Sequence, residues 1–337
     1  MILVITGHNL QTTSHRSIGA MTNPFYSAWF MQAAEKHLLS DKQQLQWITV
    51  DGVGSFPTIT TLRNGRMVFP MRKNLPTIHC FCGAPLPGAN STPACSQDLY
   101  LKLVPEDSPA HQALEAMPQA VKVGSHTRAC IRPGLDYESF LKANLSTKKR
   151  KEFRRLKKRL QEQGTVEESW WQPGQDLDQW TQQFIELEAL SWKSDKGTAI
   201  ACNPAEVQFL HAILKGAAEQ GELLLFRQTF DGKPIAMLIC FQGDETIYTF
   251  KIAHDPEFAR YSLGSQAMLA ASQLILDEGL GKLMDSCAEE NHPMINHLWP
   301  ERRALNDWFI PHTLLGRHLV APMMEHRYKI KMRNKQS

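Results

Sequence analysis

Hydrophobic and polar positions are most regularly arranged in the second half of the chain. From Ile247 to Ala253, aromatic and β-branched residues alternate with Thr249 and Lys251, the period of a half-buried strand. Asp255 and Pro256 end it, because proline cannot donate to a ladder. Gly264 stands before a run of helix formers, Ser265 to Glu278, which Gly279 stops as a C-cap. A short apolar run, Lys282 to Met284, then closes on Asp285. Residues Thr246 to Glu290 therefore predict strand, loop, helix, strand. The loop brings orphan N–H groups and the positive end of the helix dipole between two strands, where a phosphate binds well. The same pattern also fits an ordinary connection with no ligand.

Upstream of this stretch, Leu177, Trp180, Phe184, Leu187 and Leu190 mark an amphipathic helix, and Pro204 opens a second one that runs to Glu219. Strands Glu222 to Gln228 and Pro234 to Gln242 flank the hairpin turn Asp231-Gly232. The first third is less regular. A strand is expected at Ile2 to Thr6. A helix follows Asn23-Pro24, with Phe25, Trp29, Ala33 and His37 near helical spacing. Strands are expected at Gln46 to Val50 and Thr58 to Leu62, with Asn64-Gly65 turning the latter into Met67 to Met71. Ile78 to Cys82 is apolar, GAPLPGANSTPA is loop, and Val121 to Ile131 holds a strand. The Gln97 to Leu103 and Ala110 to Ala120 segments mix strand and helix signals. Neither a low-complexity tract nor a short tandem repeat is present.

At 337 residues with 42% apolar content, the chain is long enough for two domains with well-formed cores. It contains no apolar run of membrane-spanning length, and its start, MILVITGHNLQTTSHR, lacks the basic region and apolar length of a secretion signal. Its 7 cysteines are odd in number and mostly sit in apolar runs, which points to a reduced cytoplasmic protein. His79-Cys80-Phe81-Cys82 offers alternate residues on one strand face, but no second clustered pair completes a zinc site, so these residues read as core and no metal is expected. The net charge of +3 is unevenly distributed: Lys148 to Arg159 carries nine Lys or Arg against Glu152, a local +8 that leaves −5 for the remainder. Ser146 or Thr147 can cap a helix there, and Phe153, Leu156 and Leu160 give it a narrow apolar stripe. So many cations repel one another unless the acidic body or a phosphate-rich partner neutralises them.

FKIAHDPEFARYSLGSQ, followed by DSCAEENHPMINHLWPERR, resembles the C-terminal half of GNAT-like acyltransferases, in particular the group associated with cellulose and exopolysaccharide biosynthesis, which is related to Fem-type aminoacyl transferases. STKKRKEFRRLKKRL, ELEALSWKSDKGTA and, more faintly, NPFYSAWFMQAAEKHL extend the resemblance. It implies an α/β fold with a mixed, largely antiparallel GNAT-like sheet flanked by helices. It also implies two tandem GNAT-like halves: a degenerate domain at 1–137 and an acyltransferase domain at 138–337 that includes the basic helix 147–160.

The activity implied is transfer of an acyl group from acyl-CoA, acetyl-CoA for example, to an amine or hydroxyl of a small-molecule or glycan-linked acceptor. The resemblance places CoA on Phe250, Lys251 and Ile252 and on Arg260, Tyr261, Ser262, Leu263, Gly264 and Ser265. The family's R/Q-x-x-G-x-G/A loop is reduced here to its middle glycine, Gly264. Trp192 and Lys193 match an S-W-K-x-x-x-G-T-A segment at the acceptor side, although Trp192 fits a core aromatic equally well. For the acid–base step, Asp285 has the best position at a strand end, His292 the most suitable intrinsic pKa, and Glu289 lies between them. Two alternatives stand beside this reading: a Fem-type enzyme drawing its aminoacyl group from tRNA held by the basic helix, and a non-catalytic module that binds an anionic polymer.

Overall fold

The computed structural model describes residues 23–61, 71–74, 77–86, 97–190, 199–243 and 245–336. The predicted strand at Ile2 to Thr6, the Asn64-Gly65 turn, Trp192 and Lys193 lie outside them. In chain order the elements are α1 Ala28–His37, β1 Gln43–Val50, β2 Gly54–Thr61, β3 Met71–Lys73, β4 Asp98–Pro105, α2 Pro109–Ala116, β5 Val121–Ile131, α3 Tyr137–Asn144 and α4 Thr147–Gln161. There follow β6 Val166–Trp170, α5 Leu177–Ala189, α6 Pro204–Glu219, β7 Leu223–Phe230, β8 Lys233–Gln242, β9 Thr246–His254, α7 Leu263–Asp277, β10 Leu283–Asp285, β11 Glu301–Ile310 and α8 Ala321–Gln336.

β1 and β2 form a hairpin of their own, and the other strands make one nine-stranded sheet in the order β3-β4-β11-β5-β10-β9-β8-β7-β6. The pairs β3/β4 and β9/β10 are parallel; every other pair is antiparallel. The fold is thus mixed α/β with a largely antiparallel sheet. β11, late in the sequence, is inserted between β4 and β5, and the three-residue β10 is held between β5 and β9.

Local sequence accounts for most boundaries. Ser146 caps α4 by accepting from the Lys149 N–H, and Asn203 with Pro204 begins α6. Asp231 and Gly232 take the left-handed conformation that turns β7 into β8. α4 buries Phe153, Leu156 and Leu160 and leaves its cations outward, as its spacing requires.

The core occupies both faces of the sheet. On one face α1, α5 and α6 cover β8 and β9 with an aromatic cluster. On the other, Phe140 and Leu141 of α3 and Met268 of α7, with Trp299 from the segment before β11, pack against Ile247 and Met284. Phe25 is fully buried in the first cluster, edge-on to Phe30, Phe81 and Tyr248. Truncating such a side chain to alanine costs about 3–5 kcal/mol. Asn23, just ahead of it, donates to the carbonyls of Cys82 and Ala84 at 3.0 and 2.8 Å, which ties residues 77–86 to the same cluster.

Candidate active site

β9 and β10 pair over a short length only: Leu283, Met284 and Asp285 meet Thr246, Ile247 and Tyr248. β9 then continues to His254 without its parallel partner, so the sheet opens along that edge from Thr249 onward. The Thr249 hydroxyl donates to the Ser286 carbonyl at 2.6 Å and pins the point of divergence. On its other edge β9 pairs with β8, where the register moves from Ile239↔Lys251 to Cys240↔Thr249 and leaves Phe250 as an extra, bulged residue. A bulge re-aims the side chains beside it. It explains why Thr249, expected on a solvated face, is buried, and why strict alternation fails here. Phe250 points into the aromatic cluster, with Phe81 at 5.8 Å and Phe241 at 4.9 Å between ring centres, and the Lys251 ammonium lies 5.6 Å from the Phe250 ring.

α7 begins at the open end of this edge. The left-handed residue at its start is Ser262, at φ +55°, and it provides no side-chain cap. The first α7 amide to find an acceptor among the described residues is that of Gln266, bonded to the Ser262 carbonyl at 3.1 Å. The N–H groups of Leu263, Gly264 and Ser265 have no acceptor among the described residues, Leu263 and Gly264 being buried and Ser265 half-buried. Gly264 itself has ordinary helical backbone. A Cβ there would lie 3.0 Å from the Met294 sulfur and 3.8 Å from Ile252, so this glycine admits Met294 between the helix and β9. Tyr261 and Leu263 turn into a small core with Leu160 and Ile235 and act as anchors of the loop. Arg260 is exposed, stacks on Tyr261 and donates to Gln163 at 3.2 Å.

Asp285 is completely buried. One carboxylate oxygen accepts from Arg303 at 3.1 Å; the other accepts from the Cys287 N–H at 2.9 Å and lies 3.7 Å from Arg128. Arg303 also reaches Asp107 at 3.1 Å. Burial alone would lower the Arg303 pKa, but the surrounding groups, Tyr248 and Asp285 foremost, hold it well above its ordinary value. No hydrogen bond or ion pair joins Asp285 to Glu289 or His292 among the described residues. Glu289 is exposed. His292 accepts from the Ile295 N–H at 3.5 Å, within its own turn. The arrangement gives Asp285 the environment of a structural charge and leaves Glu289 and His292 nearer solvent. A cleft of about 260 Å³ reaches Arg303 and Tyr248 from outside, lined also by Asn23, Asp107 and Lys282.

Residues far apart in sequence complete the surroundings. His79 stacks on Phe209 at 5.2 Å, lies 3.7 Å from Glu206 and faces Phe250. Burial, and secondarily the Lys251 charge, push its pKa down to about 3, so it is neutral near pH 7. Sequence pattern does not single out Arg128, Arg303 or His79 as site residues: His79 is buried, as expected of a core position, and nothing local to its sequence indicates the nearby Lys251 charge.

Part of the charge of α4 is neutralised by carboxylates on and around it. Arg154 pairs with Glu138, Arg155 with Glu152, Lys157 with Glu168 and Lys158 with Glu162. Beneath it a cavity of about 200 Å³ is floored by Leu141, Leu145, Phe153 and Leu269.

Residues 147–292 match the family model of the acetyltransferase (GNAT) domain. The match begins at α4 and ends just beyond β10. FemX is similar in structure, with 11% identity, a TM-score of 0.54, and 86% of this chain and 92% of that one covered. So is the C-terminal domain of a putative lysylphosphatidylglycerol synthetase from Agrobacterium fabrum, at 9% identity and a TM-score of 0.51, covering 89% and 94%. At such identities the likeness is one of fold. No curated protein matches this chain. Among the described residues no helix is long and apolar enough to cross a membrane.

Proposed function

We propose that the protein is an N- or O-acyltransferase that takes its acyl group from acyl-CoA. The observation that carries this reading is the open edge of β9 beyond Tyr248, with the free N–H groups of Leu263, Gly264 and Ser265 at its mouth. In the proposed complex the pyrophosphate lies on those N–H groups with Ser262 and Arg260 beside it, and Tyr261 and Leu263 anchor the loop. The pantetheine chain runs along Phe250, Lys251 and Ile252, whose backbone N–H groups stabilise the oxyanion formed when the acceptor attacks the thioester carbon. Met294, a flexible side chain, moves aside to admit it. The C–S bond then breaks and CoA leaves as the thiol. Of the acid–base candidates, His292 or Glu289 takes the acceptor's proton and returns it to the departing sulfur, and Asp285 positions the strand end through Arg303. Trp192 and Lys193 are assigned to the acceptor, for which a small molecule or a glycan-linked amine or hydroxyl is proposed, in a reducing cytoplasm. Two GNAT-like halves, 1–137 and 138–337, complete this reading.

The crowded cations of α4 favour a second reading, in which a Fem-type enzyme receives its aminoacyl group from tRNA. If neither donor binds, the module binds an anionic polymer without catalysis. Titration calorimetry with acetyl-CoA, longer acyl-CoAs, free CoA and charged tRNA separates these. A ligand at a hundredfold excess over its Kd also stabilises the fold by about 2.7 kcal/mol. Binding by CoA thioesters alone supports the first reading; binding by charged tRNA alone overturns it.

A further inference from the structure

The apolar side chains left in solvent are not scattered. Of the eight large exposed hydrophobic residues among those described, five lie between Leu314 and Ile330. Leu315, Leu319, Met323 and Ile330 recur at spacings of four, four and seven residues, which sets them along one side of a helix. That helix is continuous, a π-helical turn at Gly316–Val320 running directly into α8. It is also fixed in place. The buried Asp98 carboxylate accepts from the His312 and Thr313 N–H groups at 2.8 Å each and from the Thr313 hydroxyl at 2.9 Å. Gly316 lies so close to that carboxylate that no Cβ would fit. Ala321 is buried and Met324, Tyr328 and Met332 are half-buried on the opposite side, where α8 packs along β5. The exposed stripe is therefore held outward by the fold.

Its charge identifies what could cover it. Residues 312–336 contain Arg317, Arg327, Lys329, Lys331, Arg333 and Lys335 against Glu325 alone, a net +5. Lys329 pairs with Glu325 at 2.6 Å, whereas Arg317, Arg327 and Arg333 have no acidic partner among the described residues. A second copy of the chain would bring the same positive charge to the contact and repel it. An apolar stripe edged by unpaired guanidinium groups matches an anionic bilayer surface, which offers acyl chains to the one and phosphates to the other. At 1.5 Å per residue the helix from Leu314 to Arg333 is about 30 Å long, enough to lie in the headgroup plane.

We propose that the C-terminal helix is an in-plane anchor that seats the protein on anionic phospholipid through Leu315, Leu319, Met323 and Ile330, flanked by Arg317, Arg327 and Arg333. This is independent of the donor reading and holds whichever donor is used. The test is flotation of the full chain with phosphatidylcholine vesicles, with and without phosphatidylglycerol. The protein floats with the anionic vesicles and is released by salt. Replacing Leu315, Leu319 and Met323 together by Gln lowers the partition coefficient at least tenfold with an unchanged melting curve. Arg327→Gln with Arg333→Gln lowers it roughly fivefold per cation, from about 1 kcal/mol each. In the unaltered protein, hydrogen exchange across 312–333 slows on anionic vesicles, a readout that needs no variant to fold. Failure to float, equal binding to neutral vesicles, or flotation without protection of 312–333 overturns the proposal. So does a dimer in light scattering that the Gln variant dissolves, which would give this face to a second copy.

Discussion

Asp285→Asn decides between a catalytic and a structural carboxylate. The substitution keeps the size of the side chain and an oxygen for the Cys287 N–H, but removes the charge facing Arg303 and Arg128, which are 7% and 6% exposed. Breaking a buried pair from one side costs about 3–5 kcal/mol, because the surviving charge stays buried. Arg303 retains Asp107 at 3.1 Å, on a side chain that is 41% exposed, so the lower end, about 3 kcal/mol, is expected. At roughly 2–4 °C per kcal/mol for a large domain, the melting point falls by about 6–12 °C. Urea unfolding at constant slope measures the loss directly. The double variant Asp285→Leu with Arg303→Met should lose less than its two single variants combined, by about 1.5 kcal/mol or more, since the two closest charges leave together and only Arg128, 3.7 Å away, loses its carboxylate. If Asp285→Asn unfolds within about 0.5 kcal/mol of the unaltered protein while turnover per folded molecule drops about a hundredfold, the ion-pair argument is refuted and Asp285 is the acid–base group.

Three further outcomes are expected. His79 is neutral in the fold and takes up a proton on unfolding below its ordinary pKa, so stability is full above pH 6.5 and is lost as pH falls toward about 3; at pH 5 the loss is about 2 kcal/mol, and His79→Asn should flatten that acid limb in melts at pH 5 and 8. Gly264→Val presses a branched side chain against the Met294 sulfur and should cost about 1–3 kcal/mol through overpacking while abolishing CoA-thioester binding by calorimetry; unchanged affinity in the folded variant would remove the proposed donor path. Changing Lys148, Lys151 and Arg159 to Ala spares the four ion-paired cations of α4 and should reduce the salt slope of tRNA binding by about 2–3 units if they contact phosphates; an unaltered slope makes α4 a scaffold.

Periodic stretches were legible from sequence to within a few residues: α4 with its Ser146 cap, α5, α6, the β7–β8 turn, β9, α7 and β10. Each is specified by neighbours in sequence, through a cap, a stripe or a turn residue. What pattern could not supply was pairing. Nothing local to Glu301–Ile310 indicates that it enters between β4 and β5, and alternation from Ile247 to Ala253 gives no sign of the bulge at Phe250. The left-handed position at the α7 start falls on Ser262 and not on Gly264, because the loop turns one residue before the helix begins and the glycine serves a contact with Met294 instead. The Asp285 environment was hidden for the same reason: its partners Arg128, Arg303 and Asp107 come from three distant segments.

That same non-local pairing makes the candidate site a product of both ends of the chain. β10 is too short to fix its own position; β5 holds it on one side and β9 on the other, and Asp285 at its end is clamped by Arg128 from β5 and Arg303 from β11. Across the sheet, Phe25 packs against Tyr248 and Phe250, and Asn23 fixes the carbonyls of Cys82 and Ala84, so His79 is carried to the Lys251 side of β9 by a segment over 160 residues away. The point at which β9 and β10 diverge, pinned locally by Thr249, is therefore supported as well by contacts outside 147–292, the part that matches the GNAT domain. A weakly patterned first third and a well-patterned second half are what such a division of labour predicts. The local signals specify β9, α7 and β10 themselves, while the distant aromatic and charged contacts, which leave no periodic trace, fix where those elements sit.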